Sequence, residues 1–195
     1  MGAVRDASLI IIATEGKETE KQYFDGVFQS SKIRVLVLPT IDGDSAPSHV
    51  LKRLVQFKKD YQLNGTDQLW LVVDVDRWPV KNLKAVAQSS DQKKFRMAVS
   101  NPCFEIWLYL HLSDEVNESW RSKDVEVALR TKLGSYNKSK IQASDFASHL
   151  ADAIKRASKL DQKETARWPS KTGTHVYRLV KEIRRLGKLS RPANP

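Results

Sequence analysis

The feature that most constrains this 195-residue chain is a short apolar run that ends abruptly in a carboxylate and a glycine. Residues 10–13 are three isoleucines and an alanine, and Glu15 and Gly16 follow after one threonine. Such a run is typical of a strand buried on both faces, as in parallel sheets covered by helices. We therefore predict an α/β protein with Glu15 at the carboxyl edge of its sheet, where open α/β folds bind ligands. A capped helix start, with Glu15 as a solvated loop residue, is the alternative.

A second apolar run, residues 69–73, ends in Asp74, Val75 and Asp76. Because side chains alternate along a strand, Asp74 and Asp76 are predicted to point to the same side. Two neighbouring carboxylates repel each other unless a cation lies between them, and oxygen ligands suit Mg²⁺ or Mn²⁺ better than zinc. The pair therefore predicts a site for a divalent metal ion.

The other periodic segments predict an alternation of helices and strands along the first 120 residues. Helices are expected at 18–29, 48–63 and 80–89, and strands at 33–38 and 95–100. Asn101 and Pro102 are then expected to cap and open an apolar, buried helix. Glu105 lies in its first turn, either as a partner of the helix dipole or as another acid of the site. Further helices are expected at 122–132, 144–160 and 174–187.

The net charge of +10 is concentrated at the end of the chain. Residues 121–195 contain 18 Lys and Arg against 7 Asp and Glu, whereas residues 1–120 contain 15 against 16. We predict a core at 1–120 that carries the site and a basic helical extension at 121–195 packed on it. An acidic site with a basic flank suits a polyanion such as a nucleic acid, although basic helices also serve solubility.

Cysteine content and hydropathy indicate the compartment. Cys103 is the single cysteine, which excludes a disulfide within the chain and a cysteine cluster for zinc, and suits a reducing cytosol. The apolar runs are too short to cross a bilayer, so we expect a cytoplasmic protein with no membrane partner. Cys103 has no obvious partner histidine and is expected in the core rather than as a nucleophile.

Several spaced motifs carry a resemblance to known families. A strand that ends in Glu-Gly and another that ends in Asp-x-Asp resemble the Toprim site of topoisomerases, primases and several nucleases. Three blocks in order resemble the RloB family of prokaryotic defence proteins, namely EGKETE at 15–20 followed by YF at 23–24, DVD at 74–76, and SNPCFEIWL at 100–108. Tyr136, Lys138 and the stretch 169–172 are similar to weaker distal motifs of that family. The resemblance covers nearly the whole chain.

This resemblance implies a Toprim-like, mainly parallel sheet with helices on both faces, and a nuclease role in antiphage defence together with an ATPase partner. By position, Asp74 and Asp76 would hold Mg²⁺ or Mn²⁺, and Glu15 would serve as metal ligand or general acid/base. Two further acids and four basic residues complete the predicted site: Glu20 and Glu105 as catalytic residues, and Lys138, Lys171, Arg184 and Arg185 as contacts to DNA or RNA.

Two other functions stay open at the level of sequence. A phosphatase of the haloacid dehalogenase type also has Asp-x-Asp after a buried strand, but that motif lies near the amino terminus and does not have a tryptophan such as Trp78 two residues on. It also leaves Glu15 and Gly16 unexplained. The other alternative is a non-catalytic Toprim-like module that binds nucleic acid or an ATPase, since the chain has no Gly-rich Walker loop of its own.

Overall fold

The protein folds around a five-stranded sheet flanked by helices, in a computed structural model that describes residues 8–28, 33–41, 44–163 and 165–189. The strands are β1 (Ser8–Thr14), β2 (Ile33–Leu38), β3 (Gln68–Asp74), β4 (Arg96–Asn101) and β5 (Gly173–Thr174). The helices are α1 (Thr19–Val27), α2 (Pro47–Asp60), α3 (Val80–Lys93), α4 (Glu105–Leu112), α5 (Ser122–Leu133), α6 (Ser144–Ala147), α7 (Leu150–Leu160) and α8 (Val176–Leu189).

The two apolar runs form the central strands of this sheet. The strand order is β2-β1-β3-β4-β5, with the first four strands parallel and β5 antiparallel to β4. β1 and β3 are neighbours in register, so their carboxyl ends lie side by side. The predicted α/β class with a mainly parallel sheet is confirmed.

Helices cover both faces of the sheet, which explains why β1 is apolar throughout residues 9–13 and β3 throughout residues 69–73. Alternate residues of each strand point to opposite faces. Leu9, Ile11 and Ala13 face the apolar layer formed with α2 and α3. Ile10 and Ile12 face the layer formed with α1, α4, α5, α6, α7 and α8.

The basic C-terminal part shares the second of these layers with the sheet. α8 lies against β2 and β4, and α5 and α7 both pack on α4. Val125 of α5, Ala153 of α7 and Val176 of α8 belong to the same apolar cluster as Ile10 and Trp107. The boundary predicted near residue 120 stays a prediction.

The start of α4 corrects one expectation. Asn101 does not cap this helix, because it remains in β4, where it pairs with Gly173 and its side-chain amide donates to the Pro169 carbonyl. The helix begins at Glu105 instead. The predicted capping role of Asn101 and helical position of Pro102 are therefore wrong.

Two other segments also differ from the sequence-based expectation. The helix expected at 144–160 is interrupted at Ser148 and His149, which separate α6 from α7. Thr174, expected to start a helix, instead forms β5 with Gly173 and pairs with Ser100. Within the described ranges, no helix has the length and apolarity needed to cross a membrane.

Candidate active site

Acidic side chains gather in a cavity of about 240 Å³ at the carboxyl edge of the sheet. We call this cavity the acidic pocket. It is lined by six acids, three cations and six other residues: Glu15, Glu18, Glu20, Asp74, Asp76, Glu105, Lys17, Arg77, Lys138, Gly16, Thr19, Cys103, Phe104, Ser122 and Ser139. First-turn residues of α1, α4 and α5 are among them, and the positive ends of three helix dipoles partly offset the negative charge.

Glu15 is buried and held at both carboxylate oxygens. Its Oε2 accepts from the backbone N–H of Asp74 at 3.1 Å, and its Oε1 accepts from Nε1 of Trp78 at 2.8 Å. Burial raises the pKa of Glu15 and outweighs these two bonds and the nearby Arg77 charge, which all lower it. Glu15 therefore joins the ends of β1 and β3 and is not a solvated loop residue.

Glu20, at the start of α1, reaches back to the loop after β1. Its Oε1 accepts from the backbone N–H of Gly16 at 3.0 Å. A Cβ atom at residue 16 would lie 2.0 Å from Oε2 of Glu20, so any other residue there would displace this carboxyl group. Burial, followed by repulsion from Glu105 and Glu15, raises the pKa of Glu20 to about 7.

Asp74 ends β3 and has the least compensated carboxylate of the pocket. Its Oδ1 atom is shielded from solvent and has no hydrogen-bond partner. Burial raises the pKa of Asp74 well above its usual range, and the neighbouring carboxylates of Glu15, Glu20, Glu105 and Asp76 raise it further. A buried oxygen acceptor without a donor is costly for a protein and indicates that another group satisfies it.

Asp76 lines the same cavity, but by a different route from the one predicted. The strand ends at Asp74, and residues 75–78 form a turn in which the Trp78 N–H donates to the Val75 carbonyl. Strand alternation therefore does not orient Asp76. Its side chain is exposed and accepts a short hydrogen bond from the hydroxyl of Ser122 at the start of α5.

Glu105 is buried in the first turn of α4 and pairs with a lysine from a distant loop. Lys138 Nζ lies 3.0 Å from Oε1 of Glu105, and the Tyr136 hydroxyl donates to the same oxygen at 3.3 Å. Burial raises the pKa of Glu105, but Lys138 and the hydrogen bonds outweigh it, so the net shift is downward. Glu105 is therefore ionised at neutral pH, whereas Glu20 is protonated in a substantial fraction of the molecules.

Cys103 is buried at the wall of the acidic pocket. Burial raises the pKa of its thiol, and the charges of Glu105 and Asp74 raise it further. The side chain therefore stays a neutral thiol at physiological pH, which disfavours a role as nucleophile.

The donor chemistry of the pocket fits Mg²⁺ or Mn²⁺. All of the acidic ligands offer hard oxygen atoms, and Oδ1 of Asp74 is buried without a donor. In the described part of the chain, however, no three His, Cys, Asp or Glu side chains are placed to hold an ion together. The residues are suitable in kind, but their side chains would have to rotate to surround a cation.

The structure brings together six of the nine predicted site residues and leaves three outside the pocket. Glu15, Glu20, Asp74, Asp76, Glu105 and Lys138 all line it. Lys171 pairs with Glu118 at the surface and lines a separate cavity of about 200 Å³. Arg184 and Arg185 lie on the exposed side of α8, and Arg185 binds Glu182.

Sequence reasoning gave no role in the site to Arg77, Trp78, Ser122 or Tyr136, which line the pocket or bond to its acids. Arg77 and Trp78 directly follow the Asp-x-Asp motif, and this proximity could have marked them. Ser122 carries no local signal, because it reaches Asp76 across 46 positions of sequence.

A family model described as RloB-like protein matches residues 10–183 of the chain. The match includes every residue of the acidic pocket. Comparison with the curated proteins gave no match, and comparison with the solved structures gave none either.

Proposed function

The chain belongs to the RloB-like protein family, and we propose that its acidic pocket is the active site of a metal-dependent nuclease that hydrolyses phosphodiester bonds in DNA or RNA. The observation that carries this proposal is the buried Oδ1 of Asp74. This oxygen has no hydrogen-bond donor, and four other carboxyl groups lie near it. Such an arrangement is unfavourable in isolation and becomes favourable when a cation binds.

We assign the cation to Glu15, Asp74 and Asp76, which end or follow the two central strands. When bound, Mg²⁺ or Mn²⁺ would neutralise charge on the phosphate and lower the pKa of a water molecule. Trp78 and the backbone N–H of Asp74 hold the carboxylate of Glu15 where β1 and β3 end, and side-chain rotation would complete the set of ligands around the cation.

Glu20 and Glu105 are suited to opposite proton transfers. Because the pKa of Glu20 is raised to about 7, this side chain keeps a proton on many molecules at neutral pH and can act as general acid. Because Lys138 holds Glu105 in its ionised form, Glu105 can accept a proton. Two carboxyl groups with diverging pKa values are a recurrent arrangement in acid–base catalysis.

The proposed hydrolysis balances in protons and bonds. The oxygen of a water molecule forms a new bond to phosphorus while one of its protons passes to Glu105. The bond from phosphorus to the leaving sugar oxygen breaks, and that oxygen takes the proton of Glu20. The products are a phosphate monoester and a free hydroxyl group, and proton exchange with solvent restores both acids.

Family membership supports a role in antiphage defence with an ATPase as partner, as the resemblance of the motifs implies. We therefore expect the activity to depend on that partner in cells, and assays should include both the chain alone and the complex. The proposed substrate is nucleic acid rather than a small phosphomonoester.

Glu15→Gln tests the proposal directly. The amide keeps the size of the side chain and removes its charge, so we expect at least an about 100-fold loss of Mg²⁺- or Mn²⁺-dependent cleavage. The matched control is Glu182→Gln on α8, outside the pocket, which should cleave as the wild type does. Wild-type rates in Glu15→Gln, or wild-type protein that releases phosphate from small phosphomonoesters and leaves nucleic acid intact, would refute the assignment.

One observation favours a second candidate, a non-catalytic module that binds nucleic acid or the ATPase. No three acidic side chains in the described ranges are already placed around a common ion position. Asp74→Ala separates the two functions. If this variant still protects cells from phage and still assembles with the ATPase, the acids are not catalytic and the binding module is the better description.

A further inference from the structure

Arg77 lies in the turn after β3, between two residues that contact the acidic pocket. Its neighbour Asp76 accepts from Ser122, and its other neighbour, Trp78, donates to Glu15. Arg77 itself lines the cavity. Its backbone is therefore anchored on both sides by contacts to the site.

The three cations of the pocket differ in how they are engaged. Lys138 is paired with Glu105 at 3.0 Å and with Glu126 at 3.5 Å, and Lys17 also has a partner. Arg77 is exposed and, among the described residues, makes no hydrogen bond or ion pair. Its charge is nevertheless close enough to lower the pKa of Glu15. An arginine that borders six carboxyl groups without binding any of them keeps its five N–H donors available.

The chemistry of phosphodiester cleavage requires such a donor group. A phosphodiester has two non-bridging oxygens, and negative charge on them grows as the water oxygen approaches phosphorus. The acids of the pocket repel this charge, so a cation and fixed donors have to compensate for it. The planar guanidinium group matches two phosphate oxygens at once, which a lysine ammonium group cannot do.

We propose that Arg77 is a catalytic residue that binds the non-bridging oxygens of the scissile phosphate and stabilises the transition state. This inference rests on the proposed nuclease function and extends it to a residue outside the acidic motifs. Lys138, which is already committed to Glu105, then serves mainly to keep that acid ionised.

The test compares Arg77→Ala and Arg77→Lys with Arg34→Ala, an exposed arginine on β2 that does not line the pocket. We expect Arg77→Ala to lose about 100- to 1,000-fold in kcat/KM, mostly in kcat, and Arg77→Lys to recover only part of it. Calorimetric Mn²⁺ affinity should stay within threefold of wild type in both variants, since Arg77 holds no metal. Arg34→Ala should behave as wild type throughout.

A binding arm separates this inference from the proposed function. In a Glu15→Gln background, binding of a single-stranded DNA oligonucleotide and its RNA counterpart is measured against salt. Removing one phosphate contact should weaken the binding of both oligonucleotides and lower the slope of log affinity against log salt by about 0.7. If the wild type cleaves nothing but Arg77→Ala shows this change, the nuclease proposal fails and Arg77 remains a phosphate-binding residue.

Three results would overturn the assignment of Arg77. One is cleavage by Arg77→Ala within threefold of wild type. Another is an unchanged salt slope and affinity in the binding arm. The third is that Arg77→Ala loses both Mn²⁺ affinity and cleavage, which would make Arg77 a positioning residue for the metal ligands instead.

Discussion

The two edges of the central sheet use the same residue types in opposite ways. At the amino edge, Glu182 of α8 accepts from Gln68, Arg96 and Arg185, the first two of which begin β3 and β4. The pKa of Glu182 is lowered to about 2, mainly by the hydrogen bond from Arg185. Burial raises this pKa by less than Arg185 lowers it, and Gln68 and Arg96 lower it further. At the carboxyl edge, about 20 Å away along the seven residues of β3, burial and mutual repulsion raise the pKa of Glu15, Glu20 and Asp74.

This difference distinguishes an acid whose charge is compensated within the fold from acids whose charges are not. Every oxygen of Glu182 has a donor, so its charge is compensated within the chain. In the acidic pocket, Lys138 compensates Glu105, while Asp74 keeps an oxygen with no donor. Buried charges in a cavity that the fold leaves uncompensated are typical of functional sites.

The largest expected contrast between the edges is in metal affinity. Replacing Asp74 and Asp76 together by Asn removes two of the proposed charged ligands, and we expect Mn²⁺ affinity to fall at least about 100-fold without unfolding. Glu182→Gln should leave the affinity unchanged. Calorimetric titration measures both. Unchanged Mn²⁺ binding in the double variant would contradict the proposed metal site at the carboxyl edge.

The next contrast is in the pH dependence of stability, measured by urea unfolding with EDTA present. Glu20 has a folded pKa of about 7 and an ordinary value of 4.5, so the folded state holds its proton longer than the unfolded state. Stability therefore falls as pH rises from 4.5 to 7. Glu20→Gln cannot ionise and should become more stable than wild type across this window, by roughly 3 kcal/mol at pH 7 and above. An equal pH dependence in both proteins would contradict the buried, repelled state of Glu20.

Glu182 should show the opposite sign in the same experiment. Its folded pKa of about 2 lies below the ordinary value of 4.5, so the stability it contributes is present above 4.5 and is lost as pH falls toward 2. Glu182→Gln should be less stable at pH 6 by roughly 1 to 2 kcal/mol, since water screens this partly exposed network. The difference from wild type should narrow between pH 4.5 and 3. A difference that does not change with pH would show that packing, not charge, explains the loss.

The smallest expected effect concerns nucleic acid at the amino edge. Charge reversal of Arg184 and Arg185 to Glu tests whether a bound strand extends beyond the acidic pocket. Because both residues lie on α8 away from the pocket, we expect a loss of affinity of only a few-fold, and a smaller one than for Lys171→Glu. Fluorescence anisotropy across a salt series measures both, and a steeper loss for the Arg184/Arg185 variant would place the binding surface on α8.

The strands that build the site were predictable because each is a short apolar segment with clear ends. β2 has the predicted bounds, and β1 and β3 end where the acids begin. Their parallel pairing then brings Glu15 and Asp74 together, as the two strand ends suggested. Asp76 was predicted to join this site by strand alternation. It does line the pocket, but a turn and a hydrogen bond from Ser122 place it there.

Other parts of the site depend on contacts that no local pattern encodes. Gly16 makes room for the carboxyl group of Glu20, a contact that the sequence pattern around residue 16 does not indicate. Lys138 reaches Glu105 from a loop after α5, and β5 is two residues long and forms only because β4 lies beside it. Basic composition alone could not show that Arg185 belongs to an ion-pair network at the other edge.

The contact of Lys138 with the acidic pocket also determines the order in which the pocket is completed during synthesis. The carbonyl of Lys138 accepts from the Thr19 hydroxyl at 2.8 Å, across 119 positions, and its ammonium group pairs with Glu105. A nascent chain that has left the ribosome as far as residue 120 already contains all the acids but lacks Ser122 and Lys138. If the pocket is a nuclease centre, as proposed, that centre stays incomplete until residues 122 and 138 have emerged and packed against the earlier part of the chain.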